Sequence, residues 1–258
     1  MFHFLNTNVP QSVAFYIAGV PIMWYAICIA VGMLAGTLLM YIRASRYRIK
    51  GDDVLEFFIV CIPAAIIGAR LYYVAFNWDY YSGDLMEILN IRHGGLAIHG
   101  GLIFGIFAAV LLAKKKSISI FSLLDLIMPS VALGQAIGRW GNYFNMEAHG
   151  GATDLPWGIP VGGQLVHPTF LYESLWCLAI CGILIAVDRK KRFRGQIFLL
   201  YWILYSIERF FVEGLRTDSL MIGEYRQAQV LSAVAFVISV LVYLILYHRE
   251  SGKVRRKR

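Results

Sequence analysis

Six arginines stand apart from the other basic residues of this 258-residue chain: Arg70, Arg92, Arg139, Arg209, Arg216 and Arg226. They lie inside or beside long apolar stretches, and no lysine is among them. A lysine would serve as well for a bare positive charge. Only arginine offers a planar fork of donors matched to a phosphate or a carboxylate. The set therefore points to the handling of an anionic group, although each arginine taken singly could equally be an ion-pair partner or reach to a lipid headgroup. The segment GQAIGRWGNYFNMEAHGG, residues 134–151, places Arg139, Asn142, Asn145 and Glu147 among glycines. That mixture does not suit a plain membrane helix and predicts irregular backbone that is buried or lines a wet cavity. In YSIERFFVEGLRTD, Tyr205, Arg209 and Glu213 fall at i, i+4 and i+8 on one helix face, with Glu208 pointing elsewhere. In RHGGLAIHGGLIFG, His93 and His99 alternate with Gly94-Gly95 and Gly100-Gly101, where backbone can approach another helix or a ligand closely. HPTFLYES adds His167, Tyr172 and Glu173, the last too deep in an apolar run to stand without an arginine. Arg70, beside Tyr72 and Tyr73, reads as a structural anchor at a membrane interface.

The elements that must position these residues follow from composition. The chain is 59% apolar and 16% charged, with a mean hydropathy of +0.62. Soluble domains run about 45–50% apolar and about 25% charged. A soluble fold of this size cannot hide so much apolar surface, and disorder requires the opposite composition. An all-α integral membrane protein is expected. A hydrocarbon core of about 30 Å takes about 20 helical residues. Seven stretches qualify: 20–42, 54–76, 95–113, 118–138, 169–187, 196–212 and 229–247. Eighteen of the 24 Lys and Arg residues fall in four segments, 43–50, 114–116, 189–194 and 249–258. These lie on one side of the alternating spans, which predicts an outer N-terminus and a cytoplasmic C-terminus. Charge so distributed reads as orientation and attraction to anionic lipid, not as a nucleic-acid groove. Cys28, Cys61, Cys177 and Cys181 fall within spans and read as packing residues. The first 21 residues lack a basic start and a cleavage site, and read as an apolar interfacial segment. Without a repeat or a long linker, a single membrane domain over 1–258 is expected. No phosphate loop, dinucleotide fingerprint or metal-ligand cluster is present, so no metal or cofactor is expected.

In this order on seven spans, HGGLAIHGGL, GRWGNYFNMEAHG, HPTFLYE and YSIERFFVEGLRTD resemble the prolipoprotein diacylglyceryl transferases of bacteria. The resemblance covers nearly the whole chain. It implies a multi-pass protein of the bacterial cytoplasmic membrane, with phosphatidylglycerol and prolipoprotein signal peptides as partners. The implied reaction moves the diacylglyceryl group to the lipobox cysteine thiol, forming a thioether and releasing glycerol phosphate. Family roles carry over where residues match: Tyr25, His99, Arg139, Asn142, Glu147, Gly150, Tyr205, Arg209 and Glu213. After the glutamate many relatives read Leu-Trp-Gly-Arg, whereas this chain has Ala148-His149-Gly150-Gly151, so no role for that arginine is transferred.

Elementary chemistry agrees with this reading. A free cysteine thiol has a pKa of about 8.5 and must lose its proton to attack. Negative charge then grows on the departing phosphate oxygen, where fixed cationic donors act most strongly in the transition state. Arg139 and Arg209 are expected in that role, with Asn142 orienting the headgroup and Glu147 and Glu213 holding the arginine forks. His99 is the candidate base, with a carboxylate or the departing phosphate as alternatives. A transporter would instead show paired half-repeats and a midplane site. A serine protease would need a nucleophile context that Ser174 and Ser206 lack.

Overall fold

A computed structural model describes residues 11–90 and 94–256; Arg92 and His93 lie outside the described residues. The described residues are mostly helical, with three short hairpins at helix ends. In order it runs β1 (Val13–Ile17), β2 (Val20–Met23), α1 (Trp24–Arg43), α2 (Gly51–Phe76), the single turn α3 (Trp78–Tyr81), α4 (Ile98–Lys115) and α5 (Ile120–Phe144). It continues through β3 (Ile159–Val161), β4 (Gln164–Val166), α6 (Thr169–Asp188), α7 (Gln196–Leu215), β5 (Met221–Ile222), β6 (Tyr225–Arg226) and α8 (Gln227–Arg256). Short 3-10 turns lie at Ala44–Tyr47 and Leu85–Leu89. Each hairpin is antiparallel and two-stranded.

Among the described residues six helices, α1, α2, α4, α5, α6 and α8, are long and apolar enough to cross a membrane. The expected span 196–212 is helical, but Glu208, Arg209 and Glu213 keep α7 out of that group. The first expected span starts four residues late. Ala18 and Gly19 take left-handed φ of 48° and 80°, turning the chain into a hairpin before α1 begins. The expected span 95–113 likewise becomes helical only at Ile98.

Two compact units emerge, one of Met1–Met40 with Leu124–Arg258, the other of Tyr41–Leu123. In the first, Met128, Ala132, Ile180, Cys181, Leu184, Ile197 and Tyr201 form a buried core of α5, α6 and α7. Cys177 and Cys181 are buried, and none of the four cysteines forms a disulfide among the described residues. Helix α1 packs closely on α5: a Cβ on Gly32 would come within 3.0 Å of the Gly134 carbonyl, and one on Gly36 within 3.0 Å of that of Ser130.

The glycine-rich segment does not break the helix as expected. Helix α5 continues through Gly134, Gly138 and Gly141 to Phe144, and its glycines serve close packing. A Cβ at Gly141 would meet the Tyr25 ring at 2.6 Å. Irregular backbone begins only at Asn145.

Helix α5 also fixes where α7 starts. Asp125, fully buried, accepts from the backbone N–H groups of Gly195 (2.9 Å), Ile197 (3.0 Å) and Phe198 (3.1 Å). A carboxylate there satisfies orphan donors and suits the positive end of the helix.

In the second unit α2 and α4 pack along their length through glycines. Added Cβ atoms on Gly68 or Gly100 would collide with the facing backbone or side chains. The Gly100-Gly101 pair thus serves helix contact. Gly94-Gly95, with φ of 88° and 75°, wraps the end of the Arg70 side chain.

Candidate active site

Three helices of the first unit place their polar residues together. Arg139 on α5 presents Nε to Glu173 Oε2 on α6 at 2.5 Å. Arg209 on α7 presents Nη1 to Glu173 Oε1 at 2.9 Å and Nη2 to Glu213 Oε2 at 2.6 Å. One carboxylate, only 2% exposed, therefore bridges two guanidinium groups. Like charges so close would repel. Glu173 offsets that repulsion, and the arginines in turn repay its burial.

The donor inventory separates the two arginines. Arg209 is committed through both terminal nitrogens. Arg139 is held through Nε, and its Nη1 and Nη2 groups have no partner among the described residues. Its side chain remains 21% exposed. This is an oriented fork with its open edge unused.

Around it, Tyr201 donates to Gln135 Oε1 at 2.8 Å and stacks on Tyr205 with ring centroids 5.5 Å apart. That stack sets the Tyr205 ring, whose hydroxyl has no hydrogen bond among the described residues. Trp140 Nε1 donates to Ser174 Oγ at 3.2 Å, and Ser174 donates to the Ala136 carbonyl at 2.8 Å, tying α5 to α6 beside Glu173. Tyr25 lies against α5 at Gly141 and is 38% exposed.

The sequence predicts that Glu147 holds an arginine, but among the described residues its partners are amides. Its Oε1 accepts from Asn142 Nδ2 at 2.9 Å and Asn145 Nδ2 at 3.3 Å. The buried Glu173 takes Arg139 instead. Met146 and Ala148, on either side of Glu147, have left-handed φ of 51° and 58°. For non-glycine residues this costs about 1–3 kcal/mol each and marks a position held by its surroundings.

Those surroundings are a backbone clamp. Gly150 N–H donates to the His167 carbonyl (2.9 Å), His167 N–H to Gly151 (3.0 Å) and Gly151 N–H to Leu215 (3.0 Å). Thr169 Oγ1 donates to the Ala148 carbonyl. The loop is thereby fastened to the start of α6 and the end of α7. A Cβ at Gly150 would lie 2.6 Å from His167 Cβ, so glycine is required by crowding there.

Beyond α7, Arg216 makes two bonds to Asp218, Nε to Oδ1 at 2.9 Å and Nη2 to Oδ2 at 2.8 Å. These hold the Asp218 carboxyl below the usual carboxylate range. Arg226 donates to the carbonyls of Glu213 and Arg216 and ties the β5–β6 hairpin to the end of α7.

Arg139, Asn142, Glu147, Gly150, Tyr205, Arg209, Glu213 and Tyr25 all belong to the first unit. His99 belongs to the second, where its exposed ring lies 6.1 Å from that of Tyr72. Glu208 is off the Tyr205–Arg209–Glu213 stripe, as expected, yet it does not face solvent. It is 4% exposed, and neither carboxylate oxygen has a hydrogen-bond partner among the described residues. Asp125 escaped the sequence reading, although a lone carboxylate within LLDLIM was its signal. Among the described residues no group of three His, Cys, Asp or Glu side chains is placed to hold a metal ion.

Long apolar helices around a carboxylate-held arginine pair define the class, a helical integral membrane protein with a buried charged cluster. Comparison with known proteins narrows it. The family model for prolipoprotein diacylglyceryl transferase matches residues 12–245. A phosphatidylglycerol–prolipoprotein diacylglyceryl transferase of Clostridioides difficile is 50% identical over 244 residues, covering 95% of this chain and 98% of its own. Proteins of the same name from Finegoldia magna and Clostridium kluyveri are 48% and 47% identical, each covering 93% of this chain, and 97% and 98% of their own lengths. The chain belongs to the prolipoprotein diacylglyceryl transferase family, and it is a transferase.

Proposed function

We propose that this protein transfers the diacylglyceryl group of phosphatidylglycerol to the lipobox cysteine thiol of prolipoproteins, the first step of bacterial lipoprotein maturation. The observation that carries the reading is the open edge of Arg139: two terminal nitrogens without a partner among the described residues, on a guanidinium fixed at Nε by Glu173. A phosphodiester offers the matching pair of oxygens. In the reaction the thiol proton leaves and sulfur attacks the glyceryl carbon that bears the phosphate. The carbon–oxygen bond then breaks, and glycerol phosphate departs with the electron pair. Charge grows on the departing oxygen, where the preorganised Arg139 fork stabilises it. Arg209, clamped by Glu173 and Glu213, adds a fixed positive charge and no free fork. Asn142 orients the headgroup, and its bond to Glu147 aims the amide. The hydroxyls of Tyr25 and Tyr205 make no hydrogen bond among the described residues, and Tyr205 stands one turn before Arg209 on α7. Gly150 acts by allowing the 145–152 loop to close. His99 is the candidate base for the thiol.

Seven spans, with α7 as the sixth, place the N-terminus outside and the C-terminus in the cytoplasm. The supporting observation is the charge pattern: eighteen Lys and Arg residues in four segments on one side. The chain acts as a single polytopic domain of the bacterial cytoplasmic membrane and has no nucleic-acid partner. Its polar α7 suits a span facing a wet, protein-lined cavity.

The test uses purified protein in detergent with phosphatidylglycerol and a lipobox peptide. The expected result is a diacylglyceryl mass gain on the peptide, matched by glycerol phosphate release and lost in Arg139→Ala. Transfer that survives in Arg139→Ala overturns the placement of the phosphate. No transfer by folded wild-type protein overturns the function.

A further inference from the structure

Arg70 on α2 is 6% exposed and uses every donor it has. Nε donates to the Ile88 carbonyl (2.8 Å), Nη1 to those of Gly94 and Gly95 (3.0 Å each), and Nη2 to those of Glu87 (2.6 Å) and Asn90 (3.0 Å). Its guanidinium carbon lies 4.9 Å from the Tyr81 ring centroid. A guanidinium has five N–H donors, so none is left for a lipid phosphate or a carboxylate. This arginine organises backbone.

The backbone it organises leads directly to His99. Gly94 and Gly95 turn their carbonyls onto Nη1 in left-handed conformations that favour glycine. Two residues later, Ala97 N–H donates to the carbonyl of Ala69, the residue before Arg70, at 3.0 Å. Helix α4 begins at the next residue, and His99 is in its first turn. The His99 ring makes no hydrogen bond among the described residues and lies beside the Tyr72 ring. An imidazole without its own hydrogen bonds is placed by its backbone and its packing. Both come from the turn of α2 that carries Arg70.

We infer that Arg70 is the positioning residue for His99, acting through the 94–97 strap. The inference rests on the reading of His99 as the base, and it adds the residue that determines where that base stands. Lysine cannot replace Arg70, because three donors leave at least two of five carbonyls without a partner. A small displacement at a reacting group costs up to about 100-fold in rate.

The experiment is a double-mutant cycle on the purified enzyme with Arg70→Lys, His99→Gln and both together. Arg70→Lys is expected to lower kcat about 10- to 100-fold, with KM for phosphatidylglycerol unchanged. The double variant is expected to be no slower than His99→Gln alone. In ring ¹⁵N–¹H spectra, Arg70→Lys shifts the His99 signal, assigned by its loss in His99→Gln, and leaves His149 and His167 unmoved. If Arg70→Lys does not fold, Gly94→Ala replaces it, since a Cβ there meets nothing within 4 Å but the φ of 88° is strained. Losses that multiply in the double variant overturn this inference alone. Full activity in His99→Gln overturns the base assignment and this inference with it.

Discussion

Arg139 and Arg70 are both arginines in apolar helices, and they do opposite things. Arg139 is held at one nitrogen by a buried carboxylate and leaves two terminal nitrogens open. Arg70 meets no carboxylate among the described residues and spends all its donors on five backbone carbonyls. The donors left over separate a ligand-binding arginine from a structural one. A carboxylate partner orients the fork at little cost in donors. A cage of carbonyls consumes the fork and fastens the loop that supplies them.

The sharpest way to break this contrast is Glu173→Gln. It removes the bridge between two guanidinium groups, and disrupting a buried pair in this way costs about 3–5 kcal/mol. A large fall in detergent melting temperature together with loss of transfer is expected; wild-type melting would show that the bridge holds nothing. Arg139→Ala comes next. Removing a preorganised donor group is expected to slow transfer about 10³-fold, about 4 kcal/mol of barrier, with a smaller fall in melting temperature than Glu173→Gln gives, because Glu173 keeps Arg209 as its partner. Arg70→Ala lowers the melting temperature clearly, because five part-buried carbonyls lose their partner, and slows transfer less than Arg139→Ala does. If Arg139→Ala lowers the melting temperature more than Arg70→Ala does, or slows transfer less, the contrast fails.

Gly150→Ala tests the loop clamp. Its Cβ would lie 2.6 Å from that of His167, so a loss of about 1–3 kcal/mol is expected from overpacking, read by thermal unfolding beside the transfer rate. The smallest effect belongs to Asp218→Asn. The Arg216 bonds hold the Asp218 carboxyl below its usual range. The stabilisation is therefore present above the unfolded carboxylate pKa and is lost as pH falls through the lowered folded value. The side chain is 51% exposed, so the loss at neutral pH is below about 1 kcal/mol. Wild type and variant should converge as the pH drops below about 4.

Much of this was legible in the residues. Six apolar helices follow from run length, because lipid forces every backbone group to be satisfied within the helix. Glu173 visibly needed an arginine, because a lone carboxylate in an apolar run is too costly to leave unpaired; the structure supplies two. The i, i+4 relation of Arg209 and Glu213 gave their pairing directly. Other features were illegible for a common reason. Glycine signals both a broken helix and a close contact, and only the facing element decides between them. At Gly141 it is the Tyr25 ring, so α5 stays whole. Glu147 looked like an arginine partner, yet two left-handed residues turn it to Asn142 and Asn145.

The sequence by itself determined that this chain lives in a membrane, which residues are too costly to be there without a task, and the family whose pattern they match. Those depend on transfer free energy, residue type and order along the chain. The tertiary structure alone decided which arginine keeps open donors and which is saturated, and that the buried Glu173 is the carboxylate that joins the pair. These depend on which groups come within hydrogen-bond reach once helices pack, and residues far apart in sequence carry no local record of that meeting.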